Sequence, residues 1–133
     1  MRILAALALS LPLLAGPPAK EYLPGKRLIL AGAMCAGWAF RSADRAARYD
    51  ELMCRSSGEP TLEARIVWVT PDRFLLVEER GAGAAGTCPP RTWMFEAVEV
   101  GPKQVVLQET WLGWGARKGR PVPEAYRVAK LPD

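Results

Sequence analysis

Few residues in this chain have chemistry to offer. There is no His, which removes the usual proton shuttle at neutral pH and the commonest metal ligand. Cys35, Cys54 and Cys88 are the thiols. None has a histidine to take its proton, so a nucleophilic cysteine is not expected, and no two are spaced like a zinc knuckle.

In an oxidising compartment two of the three cysteines should pair and leave one over. Cys35 to Cys54 closes a span of about 20 residues and Cys54 to Cys88 one of about 35, each worth roughly 3 to 4 kcal/mol by chain entropy, so loop length does not choose. Context favours a Cys54–Cys88 bridge. Cys35 sits in the apolar run 28–40, where a free thiol is inert, whereas Cys54 and Cys88 lie beside loop-like sequence that a bridge would fasten. Cys35–Cys54 is the close alternative.

The carboxylates point away from catalysis. Glu78 and Glu79 are adjacent, so in a strand they face opposite sides and cannot share a proton or a water. Pairing of Glu78 with Arg65, Arg73 or Arg91 is the better expectation, fixing register rather than reacting. The glycine-rich stretch 81–90 has the spacing of neither a dinucleotide fingerprint nor a P-loop. The sequence thus predicts a protein that is not an enzyme and carries no cofactor and no metal.

Binding chemistry is better represented. Trp111, Trp114, Arg117, Lys118 and Arg120 cluster among glycines after residue 110. Indoles beside guanidinium and ammonium groups make a platform for a protein partner or an anionic envelope polymer, and suit contact with a membrane surface. Nucleic acid is not expected. The net charge is only +4, with 14 acids scattered among 18 bases, so long-range attraction to a polyanion is weak. A second binding mode would use Trp68, Phe74, Trp93 and Phe95 to line an apolar cavity for a small molecule or lipid.

The elements that must position these residues follow from patterning. Arg2 and the apolar run to Ala15 have the anatomy of a secretory signal peptide over residues 1–15, leaving 16–133 as one domain in the periplasm or outside the cell. A hydrophobic fraction of 50% with 24% charged residues supports a packed core. Runs rich in β-branched and aromatic residues around 63–69 and 73–79 flank Thr70-Pro71-Asp72, and the same design recurs, with imperfect alternation, at 93–100 and 104–111 around Gly101-Pro102. Further strands are expected near 28–33 and 125–130. The helix formers of 42–54, with Ser42 as a cap, predict one helix.

The expected fold class is therefore mainly β, a small curled antiparallel sheet or barrel with one helix. The expected function is that of a non-catalytic, exported cell-envelope interaction or accessory protein working through the Trp111 to Arg120 cluster. The alternative is a small carrier of an apolar molecule or lipid, held inside the barrel.

Overall fold

A computed structural model of the chain describes residues 16–80, 89–110 and 122–131. Eight antiparallel strands close into a barrel in sequence order: β1 Lys26–Leu30, β2 Gly37–Phe40, β3 Arg45–Tyr49, β4 Leu62–Thr70, β5 Arg73–Glu78, β6 Thr92–Val100, β7 Gln104–Thr110 and β8 Glu124–Lys130. Each strand pairs with the next, and β8 returns to β1 with Leu28 opposite Val128. Closure removes the exposed edges that an open sheet of this composition would present.

Alternation places one row of each strand inside. Leu28, Phe40, Ala46, Ala64, Phe74 and Leu76 are wholly buried in the central cluster, with Phe95, Val105, Leu107 and Tyr126 beside them. On β6 the alternation breaks between Ala97 and Glu99, where the register with β7 shifts. This bulge puts one extra residue against β7 and turns Val100 onto the interior side, against Val105, while Val98 is exposed. An unbroken period would have sent Val100 outward with Val98.

The two ends of the barrel differ. The connections β2–β3, β4–β5 and β6–β7 meet at one end, and a single helical turn, α1 Ala19–Tyr22, lies across it. The Ala19 amide donates to the Asp72 carboxylate at 2.9 Å, the Lys20 amide to the Pro71 carbonyl at 2.8 Å, and the Tyr22 hydroxyl to the Gly101 carbonyl at 2.9 Å. Ala19 and Leu23 have no exposed surface. The turn thus satisfies its backbone on two hairpin loops while its apolar side plugs the core. Gly16 enters so close to β6 that a Cβ would stand 2.2 Å from the Val100 carbonyl oxygen. This is the sealed end.

The other end is the mouth, bounded by the β1–β2, β3–β4, β5–β6 and β7–β8 connections. The apolar run 28–40 is not one element. It folds back through Ala31–Ala36 so that β2 pairs with β1, and Gly37 makes the close approach possible: its φ is +149°, and a Cβ there would meet the Leu28 carbonyl oxygen at 1.9 Å.

The helix expected over 42–54 is corrected. Residues 45–49 are β3, and the helical part of that region is only α2, Glu51–Ser56. Ala46 and Ala47 are both fully buried, one inside the barrel and one in an outer cluster with Ala39 and Tyr49. Pairing on both sides with β2 and β4 outweighs the helix propensity of alanine. Ser42 caps nothing helical; its hydroxyl donates to the Asp44 carboxylate at 2.7 Å within the β2–β3 turn. Five of the expected strands match to within one or two residues at each end, and the mainly β barrel itself stands as read.

Candidate functional site

The interior has two tiers. Towards the sealed end it is filled by its own side chains. Phe74 is the hub, with ring centroids 4.8 Å from Trp68, 5.8 Å from Phe40 and 5.9 Å from Phe95. The Trp68 indole N–H donates to the Ala43 carbonyl of the β2–β3 turn at 2.7 Å, which anchors that ring at the sealed end. Of the four residues expected to line a cavity, Trp68 and Phe74 therefore belong to the floor. Phe95 lies at mid-height, and only Trp93 stands at the mouth.

At the mouth the inward row changes character. Trp38 packs edge-on against Trp93 at 5.2 Å and against Phe95 at 6.1 Å. Across these rings lies Arg48. Its register partners on β2 and β4 are the inward residues Trp38 and Leu62, so its side chain shares their face. The guanidinium carbon is 5.1 Å from the Trp93 ring centre and 5.9 Å from that of Trp38, while Nε is 3.5 Å from the Asp50 carboxylate. Arg48 and Trp93 are both partly exposed, so solvent reaches this tier. Stacking on indole faces desolvates the cation without neutralising it.

The opposite wall is acidic and phenolic. Glu109 on β7 is opposite Phe95 and faces inward. The Tyr126 hydroxyl donates to Glu124 at 3.2 Å. Burial, reinforced by the Glu124 charge, pushes the Tyr126 phenol well above its ordinary value, so it stays a neutral donor. Glu78, the last inward residue of β5, stands apart from these, between β4 and β6 and opposite Ala64. Hydrogen bonds from the Arg91 side chain and backbone amide, both 3.0 Å, hold its carboxyl below the usual range. Arg91 was one of the three partners expected for Glu78; Arg73 instead reaches Glu96 across the outer face.

The disulfide expectation is corrected as well. Cys54 is bonded to Cys35, with Cα atoms 6.1 Å apart, and not to Cys88, which lies outside the described residues. The physical reason is the fold-back of the 28–40 run: Cys35 sits in the β1–β2 connection on the rim, not inside a continuous apolar element, and α2 brings Cys54 to it. Alongside the bridge, the Glu51 carboxylate accepts the amides of Met34, Cys35 and Ala36 at 2.9, 3.1 and 2.9 Å. Cys35 Sγ, Cys54 Sγ and a Glu51 oxygen come within 4.8 Å of one another, but the sulfurs are joined and the carboxylate is already engaged, so the trio acts as a staple. Thiolate, not disulfide sulfur, is what ligates a metal.

The three amides, first those of Cys35 and Ala36, hold the Glu51 carboxyl below its ordinary value of 4.5. A carboxylate with a lowered folded pKa stabilises the fold fully above its ordinary value, and that contribution is lost as pH falls through the lowered one. Wild-type protein is therefore expected to lose more stability than E51Q between about pH 5 and pH 3, read as the shift in urea midpoint. Equal shifts would show that the three amides do not hold the charge.

Among the described residues no nucleophile, base and orienting group come together. The residues expected to bind a partner, Trp111, Trp114, Arg117, Lys118 and Arg120, lie outside the described residues. Sequence reasoning missed Arg48, because in a helix it would have been an exposed partner of Asp44. The usable signal was Ala46 and Arg48 at strand spacing beside Leu62. Comparison with protein-family models, with curated proteins and with solved structures finds no match to this chain.

Proposed function

We propose that this barrel is a carrier of an apolar small molecule or lipid that bears an acidic head group. The observation that carries the reading is the mouth tier: Trp38 and Trp93 stand on a packed aromatic floor, with Arg48 lying over both rings and open to solvent. Such a site offers apolar faces to a hydrocarbon or ring system and one oriented cation to a carboxylate or phosphate. Because the floor is filled by Phe40, Trp68 and Phe74, this reading puts the ligand in the upper half of the barrel. In this reading the ligand occupies a shallow cup at the mouth tier rather than a deep cavity lined by all four expected aromatics. The absence of an organised catalytic cluster among the described residues is in keeping with transport rather than turnover.

The test is titration with a fluorescent fatty acid and, separately, with its uncharged methyl ester. Wild type should bind the acid saturably at one site. R48M should weaken the acid by about tenfold, the loss of one charge-assisted contact, and leave the ester unchanged. W93A should weaken both. If the wild type gives no saturable signal with either probe, the carrier reading is wrong.

A further inference from the structure

Among the described residues, four of the six exposed large apolar side chains gather at one end of the barrel, while the other two, Val69 and Val98, lie towards the sealed end on separate hairpins. Leu52, Met34 and Val122 are 82%, 65% and 75% exposed, and Met53 also faces solvent. All four lie at the mouth. Met34 adjoins Cys35, and Leu52 and Met53 precede Cys54, so the bridge joins the two segments that carry three of them. The Arg127 guanidinium donates to the Met34 carbonyl at 3.1 Å, and the Ala31 amide donates to the Ala125 carbonyl. The β1–β2 connection is thereby tied to β8, shortly after Val122. At the sealed end Ala19 and Leu23 are fully buried, and the exposed Val69 and Val98 have no apolar neighbour tied to them by a bridge.

The charges on this rim have a pattern too. Glu51 is turned onto three backbone amides, and Asp50 lies beside Arg48. Arg55, in the last turn of α2, and Arg127 stand exposed next to the apolar group. Glu59 and Glu124 are the nearby exposed acids, the latter engaged by the Tyr126 hydroxyl. An apolar tip flanked by arginines, with the carboxylates of Glu51 and Asp50 on α2 and its cap already engaged, is complementary to a bilayer interface: aliphatic and thioether side chains enter the acyl boundary while guanidinium groups meet phosphates.

We propose that the mouth rim, through Met34, Leu52, Met53 and Val122 with Arg55 and Arg127, docks the barrel mouth-down on a lipid bilayer surface. Contact is by side-chain insertion; among the described residues no helix is long and apolar enough to cross a membrane. The disulfide presents the tip already ordered, so little conformational freedom is lost on binding. The arrangement deepens the carrier reading, since it sets the cup against the phase from which an apolar ligand would be taken, but docking and ligand binding are separately measurable.

The experiment is vesicle co-sedimentation of the full chain. It uses phosphatidylcholine vesicles and vesicles of equal parts phosphatidylcholine and phosphatidylglycerol. Wild type should bind both, and the mixed vesicles more tightly. M34E/L52E should weaken binding to both by about tenfold or more, from lost apolar burial and added like charge. R55Q/R127Q should remove the preference for the mixed vesicles. V69E, on a residue 52% exposed beside the β4–β5 turn at the sealed end, should bind as wild type. Both sites of M34E/L52E are exposed, and an unchanged far-ultraviolet spectrum confirms folding.

Solution titration with the fatty-acid probe should be unaltered in M34E/L52E, which separates loss of docking from failure of the carrier reading. Docking is overturned if wild type ignores both vesicles or M34E/L52E binds as wild type. It is equally overturned if wild type avoids vesicles but forms a dimer that M34E/L52E abolishes, since a second copy then covers the patch.

Discussion

Phe74→Ala is expected to destabilise the barrel by about 3–5 kcal/mol, measured as the change in unfolding free energy in urea. Phe74 is completely buried and touches aromatic rings from β2, β4 and β6. Truncation removes the transfer energy of the ring and leaves a void that three other rings cannot fill without leaving their rotamers. Set against the 5–15 kcal/mol that typically separates folded from unfolded domains, roughly a fifth or more of the total stability would go. Phe74→Leu, which keeps most of the volume, should cost about half as much or less. Because Phe74 belongs to the floor and not to the cup, probe affinity of the protein that remains folded should change little. A loss below about 1 kcal/mol for Phe74→Ala would mean that the lower tier is not packed as described.

The second large effect is loss of the staple. C35S/C54S is expected to lose about 3 kcal/mol, the chain-entropy value for a bridge separated by 19 residues. Reductant should produce the same change in wild type and none in the double variant. Proteolysis without reductant should release a fragment pair joined through Cys35 and Cys54, and C88S should leave that pair intact. Recovery of a Cys54–Cys88 pair instead would overturn the Cys35–Cys54 bridge. Loss of the bridge also removes what joins the segment of Met34 to that of Leu52. Weaker vesicle binding of the reduced protein at temperatures where the barrel is still folded is the corresponding functional result.

What the sequence made legible follows from how each segment is buried. The strands β4 to β8 could be read because they are short runs rich in β-branched and aromatic residues, such as 66–69 and 74–77, bounded by turn residues. Their turns also carry Pro71 and Pro102. β2 and β3 could not be read in the same way. Ala46 and Ala47 are buried on opposite faces, which erases the contrast between inside and outside, and alanine with arginine is also the composition of a good helix. Pairing with neighbours distant in sequence decided that segment, and no local pattern reports it.

The site suffered from the same ambiguity. Trp68, Phe74, Trp93 and Phe95 were recognisable as one inward row, but their division into floor and mouth depends on the direction in which β4 and β5 leave the sealed end. Arg48 became an inward cation only once β3 was a strand. The cysteine pairing turned on whether residues 28–40 fold back, and the reason that they do is Gly37, whose missing side chain lets β2 approach the Leu28 carbonyl.

The order in which the strands meet has a kinetic consequence. Seven seams join segments consecutive along the chain, whereas the eighth brings Lys26 beside Lys130. Closing that seam confines about a hundred residues and costs roughly 3 kcal/mol more in loop entropy than closing a short hairpin. The meander can therefore zip locally and quickly, while the β1–β8 union is the slow, late event. Until it forms, both of those strands offer unpaired edges to other chains. The like charges of Lys26 and Lys130, set opposite one another across the finished seam, would discourage such edges from adding to copies of themselves in the interval.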